Sequence, residues 1–179
     1  MSYKIKKLRL NNSNSGMTLI EAMTVMVIIG ILVAIGAANY LNSAKKRALE
    51  ASLQSNMKTL QVMLETYKVD WSEYPRYLSE LDNAANDKKY NRSLANPYTS
   101  KSGPVGSNIW AIKLLYTTDA SFASQKSLYT GRVGYQPIAA NGGDPYDINN
   151  NIGKYYLLGY DGDSELILRN NTYYTVTSG

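Results

Sequence analysis

Gly16-Met17-Thr18-Leu19-Ile20-Glu21 opens a run that continues Ala22-Met23-Thr24-Val25-Met26-Val27-Ile28-Ile29-Gly30-Ile31-Leu32-Val33-Ala34-Ile35-Gly36-Ala37-Ala38. From Met17 to Leu41 the sequence carries one charged residue, Glu21. As a helix rising 1.5 Å per residue the run measures about 35 Å, enough to cross a bilayer. A lone carboxylate inside such a run costs about 2.5 kcal/mol or more. Something must offset that cost, and Glu21 is therefore the first candidate functional residue.

The residues before the run form a basic head, Lys4, Lys6, Lys7 and Arg9, followed by the polar spacer Asn11-Asn12-Ser13-Asn14-Ser15 and then Gly16. A secretory signal joins its basic region directly to a short apolar core and is cut after that core. Here the small residue precedes the apolar run, so a cut after Gly16 leaves the run on the mature protein. Gly16, an apolar residue next to it and Glu21 five places after it resemble the processing and methylation motif of type IV prepilins and pseudopilins. The motif spans residues 16–21, and its coupling to a long apolar run makes it specific.

The resemblance implies several roles. Gly16 is the residue after which a prepilin peptidase cuts, and Met17 is the new, N-methylated N-terminus. Methionine stands where family members usually begin with phenylalanine. Glu21 is expected to pair with the Met17 amine of a neighbouring subunit, with an assembly platform and an ATPase driving polymerisation of the chain with itself. Opposite charges in a low-dielectric filament core attract strongly, whereas either alone is stranded. The bland alternative is a carboxylate near a helix end that snorkels to the interface. The precursor is expected to sit in the cytoplasmic membrane as a single pass with its head outside, and later to join an extracellular filament. The basic leader supports that orientation; Lys45-Lys46-Arg47 on the other flank opposes it.

The chain has 179 residues, and loss of sixteen leaves room for one modest head domain beside the membrane run. Net charge is +5, but four of the cations lie in the leader; the mature chain has fifteen Lys plus Arg against fourteen Asp plus Glu. Near-neutrality removes the global electrostatic case for nucleic acid. Cysteine is absent, so packing and hydrogen bonds, or a metal, must hold the C-terminal region. Histidine is absent too, which removes the commonest general base and transition-metal ligand, and no Ser or Thr is singled out with a Lys. The chain is read as a structural subunit and not an enzyme. Sixteen Tyr against one Phe suit surfaces buried on one side and wet on the other.

Beyond Leu41, Leu49, Leu53, Met57, Leu60, Leu64 and Tyr67 recur at steps of three and four, the helix period. No proline interrupts from Met17 to Asp70, so one helix of about fifty residues is expected. Tyr67, Trp71 and Tyr74 read as a cluster sealing the helix onto the head, with Pro75 stopping helix continuation. Tyr74-Pro75 after the long helix also resembles major pseudopilins and several other pilins. A short helix is expected around Leu78 and Leu81, loop over 83–107, strand or a helical turn over 109–116, and strands over 127–135, 154–160, 165–169 and 172–177. Asp161-Gly162 reads as a hairpin turn.

The expected fold class is α+β: a long N-terminal helix packed on a small antiparallel sheet, the family's ladle. Its parts are leader 1–16, membrane half 17–41, amphipathic half 42–69, αβ-loop region 70–126 and sheet with C-terminal segment 127–179.

Two further features carry candidate sites. Asp161, Asp163 and Glu165 alternate along the chain, and Leu158-Gly159-Tyr160-Asp161-Gly162 resembles the segment of major pseudopilins that leads into a calcium loop. Calcium takes six to eight oxygens, to which Asp144 and Asp147 add candidates; the competing reading is a turn with solvated acids. Lys88, Lys89, Arg92 and Lys101 near Tyr90 form a small basic, aromatic-spaced patch of the kind that contacts DNA, or simply a solvated surface. The functional reading is a pilin that builds a surface filament. The alternatives are the major pseudopilin of a type II secretion system, and a minor tip subunit binding DNA or a surface.

Overall fold

The structure, a computed structural model, describes residues 17–114, 126–169 and 172–178. The chain divides into two compact units, Met1–Ala44 and Lys45–Gly179. One helix, α1 (Leu19–Trp71), supplies the described regular structure of the first unit and the opening element of the second. Its 53 residues match the expectation of an unbroken helix, since no proline falls inside it. The helix ends when Ser72 turns left-handed at φ 64°, its amide bonding the carbonyl of Lys68 at 2.8 Å. Termination therefore precedes Pro75.

In the second unit the helix period sets the core. Leu53, Met57, Leu60 and Leu64 are fully buried, and Met63 and Tyr67 join them. Each such burial contributes about 1.5–3 kcal/mol. Helix α2 (Leu78–Asp87) covers the same core with Leu78, Leu81, Ala84 and Ala85. Glu80 secures its start by accepting the amides of Arg76 and Tyr77. The expected loop over 83–107 is thus helix as far as Asp87. It then carries a two-residue hairpin, β1 (Leu94–Ala95) with β2 (Ser102–Gly103), and a 3₁₀ turn at Val105–Ser107.

The main sheet has the order β3-β4-β5-β8, from β3 (Ala111–Lys113), β4 (Val133–Ala139), β5 (Ile152–Gly159) and β8 (Thr175–Thr177). β4–β5 and β5–β8 are antiparallel, as expected; β3–β4 is parallel, which makes the sheet mixed. The long connection between them over 114–132 permits that crossover, where a tight turn would have forced antiparallel pairing. Trp110 sits fully buried just before β3, its indole N–H bonded to Gly103 at 2.8 Å. On β4, Val133 and Tyr135 direct backbone groups toward the β3 side. Pro137 has the same parity beyond the end of β3, where its missing N–H breaks no ladder. Tyr155, Leu157 and Gly159 of β5 bury while Lys154 and Tyr156 are exposed; a register shift at Ile138/Ala139 brings Ile152 inward as well.

Several strand expectations change. The stretch 127–135 begins as a 3₁₀ turn, Lys126–Tyr129, and becomes strand at Val133. Within 109–116 the strand is Ala111–Lys113, and residues from 115 lie outside the described ones. The stretches 165–169 and 172–177 reduce to β6 (Leu168–Arg169), β7 (Thr172–Tyr173) and β8, with β6 pairing β7. The turn at Asp161-Gly162 is present but closed by a single bridge, Tyr160 to Leu166.

The tyrosine-rich composition resolves into a polar staple. The Tyr155 hydroxyl donates to Glu65 at 2.8 Å, and that of Tyr74 donates to the same carboxylate at 3.0 Å, tying sheet and loop to α1. Tyr67 stacks on Trp71 at 4.6 Å, whereas Tyr74 meets Tyr155 edge-on at 4.8 Å. The expected three-ring cluster is therefore two separate pairs, because Tyr74 is drawn to Glu65.

Burial and the Glu65 contact push Tyr74 up to about 12; the same causes raise Tyr155 further, and burial lifts Tyr160 to about 12. Unfolded phenols ionise near pH 10. The unfolded chain therefore loses protons that the folded chain keeps. Stability present below pH 10 is expected to fall as the pH rises toward 12. Urea midpoints across that window, with phenolate absorbance followed in parallel, check this; a midpoint unchanged to pH 12 would contradict it.

Candidate functional site

Every side chain described from Met17 to Ala48 is exposed, including Leu19 at 79% and Met26 at 77%. An apolar helix face that no described residue covers calls for lipid or protein around it. The helix is long and apolar enough to cross a membrane, although charge returns after Ala44.

At the start of this helix Thr18 and Glu21 cap one another. The Thr18 amide and hydroxyl both donate to Glu21 Oε2 at 3.1 Å, and the Glu21 amide donates to Thr18 Oγ1 at 3.3 Å. This reciprocal arrangement satisfies two amides of the first turn and sets a negative charge where the helix dipole favours it. Both bonds from Thr18 fall on Oε2, so the cap and a cation at Oε1 are geometrically compatible. Thr18 was not singled out from sequence, although Thr18-x-x-Glu21 before an apolar run is a capping-box signature. Gly16 lies outside the described residues.

The acidic loop is organised as a turn. Asp161 Oδ1 accepts the amides of Asp163 and Glu165, each at 2.9 Å, while the Asp161 amide bonds the Glu165 carbonyl at 2.8 Å. Asp144 and Asp147 likewise accept the amides of Tyr146 and Asn149. Among the described residues no three of His, Cys, Asp or Glu gather closely enough to hold a metal ion. Asp161 gives Oδ1 to the amides of the turn, and Asp161, Asp163 and Glu165 do not gather there as a three-carboxylate set.

Lys88, Lys89, Arg92 and Lys101 are exposed. Tyr90, the ring expected to stack on a base, instead packs against the core, and burial raises its hydroxyl. The patch is left without its aromatic platform.

Two residues that organise the head were not singled out from sequence. Glu65 anchors the tyrosine staple. Asn96, 1% exposed, donates to the carbonyls of Ile109 and Thr130 and accepts the amides of Tyr98 and Thr99. Asn96-Pro97 was legible as a turn, but its distant partners were not.

A membrane-length apolar helix with an internal carboxylate at its capped start, continuing into a small α+β unit, is the arrangement a membrane-anchored filament subunit needs. Residues 11–37 match the family model of the prokaryotic N-terminal methylation motif. Over 72 residues the chain is 36% identical to type II secretion system core protein G of Aeromonas hydrophila, covering 40% of this chain and 50% of that protein. The chain thus spans about half the length of the curated relative it matches. No solved structure matches. Both similarities point to the type IV pilins and pseudopilins.

Proposed function

We propose that this protein is a structural subunit that, after leader removal, polymerises with copies of itself into a type IV pilus-like surface filament. The observation that carries the reading is Glu21: a carboxylate five residues after Gly16, at the capped start of a helix whose described side chains are all exposed as far as Ala48. Cleavage after Gly16 creates an ammonium at Met17, and bundled helices exchange lipid contacts for one another. A prepilin peptidase, an assembly platform and an ATPase are the partners this route requires.

A second reading, the major pseudopilin of a type II secretion system, is favoured by the named relative. It is weakened by the acidic turn, where no three carboxylates gather among the described residues. The tip-located binding subunit is supported least, since Tyr90 is engaged in the core.

Sheared cell-surface fibres, viewed by negative stain and analysed by mass spectrometry, test the proposal. The expected result is fibres containing this chain beginning at methylated Met17. An intact leader in assembled material, or the trimmed protein found always as a monomer, would overturn it. Fibres appearing only when a secretion system is overproduced would move the assignment to the second reading.

A further inference from the structure

We propose that Lys45, Lys46 and Arg47 form a collar that binds the anionic phospholipid headgroups of the leaflet on their side of the membrane. The inference rests on the membrane-span reading of residues 19–41. All three side chains are exposed and consecutive on α1. At 3.6 residues per turn they spread over about 200° of the helix surface, so at least one faces the headgroup layer at any rotation of the helix.

The depth agrees. Leu41 lies about 33 Å along the helix from Leu19, against a hydrocarbon core of about 30 Å. The collar follows about 6–9 Å beyond Leu41, at the outer edge of a headgroup layer about 5–8 Å thick and within reach of long side chains. Tyr40, 75% exposed, falls where an interfacial aromatic belts the membrane edge. Lysine and arginine stems lie along apolar surface while their charges reach the phosphates.

The charge has no partner of its own. Among the described residues the ion pair within 4.0 Å is Arg76 with Glu73, and none involves the collar. Between Glu21 and Glu50 the sequence holds no acid. A second copy at the same depth presents the same three cations, which repel, and its Glu50 is half-buried. Headgroup phosphates supply the missing anions at that depth. Removal of the basic leader would leave this collar as the principal cationic contact of the span with lipid.

The full chain is reconstituted in phosphatidylcholine nanodiscs with spin-labelled phosphatidylglycerol or spin-labelled phosphatidylcholine, and relative association is measured. Each interfacial cation favours anionic lipid by about fivefold at low salt. The expected result is a preference for the labelled phosphatidylglycerol that salt weakens. K45Q/K46Q/R47Q should lose most of it and R47Q alone part of it, while K4Q/K6Q/K7Q/R9Q keeps the collar's share. A triple variant with undiminished preference, or a wild type with none, overturns the proposal. Flotation with vesicles separates the levels: a chain that floats without preferring anionic lipid refutes the collar alone. A chain that does not float refutes the span as well.

Discussion

Glu21→Ala is expected to abolish fibres while the chain still enters the membrane. Insertion should if anything improve, since a buried carboxylate costs about 2.5 kcal/mol or more. Assembly should fail, because a charge pair at 4 Å contributes about 4 kcal/mol at an effective dielectric of 20. That is about three decades in the equilibrium constant of each contact. The Thr18–Glu21 cap raises a competing explanation: the variant also removes a capping interaction worth about 1 kcal/mol. Glu21→Gln separates the two, since glutamine can fill the same capping position without charge. If charge pairing governs assembly, the Gln variant yields no more fibres than the Ala variant. If it assembles normally, the cap was the essential part and the register argument is wrong. Fibre counts by negative stain, set against membrane flotation of both variants, decide it.

The sequence made the helix legible because its signal is periodic and long. Leu53, Met57, Leu60 and Leu64 repeat at helical steps, and the structure buries each of them. The sheet was less legible for a physical reason: its outer strands β3 and β8 are three residues long, and the separate pair β6 and β7 two each, too short for alternation to register. The parallel pairing of β3 with β4 depends on a crossover, which no local pattern encodes. Asp161-Gly162 was legible as a turn, but the spacing of Asp161, Asp163 and Glu165 could not reveal that Asp161 Oδ1 accepts the amides of its own loop. Likewise Tyr74 looked like a neighbour of Tyr67 and Trp71 until Glu65 supplied a hydroxyl partner. Hydrogen-bond partners distant along the chain were the information that residue spacing lacked.

Asn96→Ala is the substitution in the head expected to cost most. Asn96 Nδ2 reaches Ile109 O at 3.1 Å and Thr130 O at 2.9 Å, while Oδ1 takes the amides of Tyr98 and Thr99 at 3.0 and 3.1 Å. All four side-chain hydrogen-bonding directions are used, so truncation leaves four backbone groups short of a partner. At about 1–3 kcal/mol for each buried unsatisfied group, discounted for shared relaxation and entering water, the loss should be about 4 kcal/mol. That is a large part of the about 5–15 kcal/mol that holds a domain folded. Gly131 shows how closely the site is fitted: at φ 64° it lies against Asn96 Oδ1, where a Cβ has no room. Asn56→Ala is the internal comparison, because Asn56 makes one bond to the adjacent Ala95 carbonyl at 2.9 Å and its loss should cost about 1 kcal/mol. Asn96→Asp tests the donors separately. It keeps the acceptor for Tyr98 and Thr99 but turns a carboxylate oxygen toward two carbonyls, and should be as damaging as alanine. Urea midpoints of the full chain in detergent micelles rank the three variants. A midpoint for Asn96→Ala no lower than that for Asn56→Ala would show that the loop holds its shape without this side chain. The expected order places both Asn96 variants well below Asn56→Ala, with the loop 94–103 losing hydrogen-exchange protection first, because those amides and carbonyls depend on one buried amide group in a chain that has no disulfide to take its place.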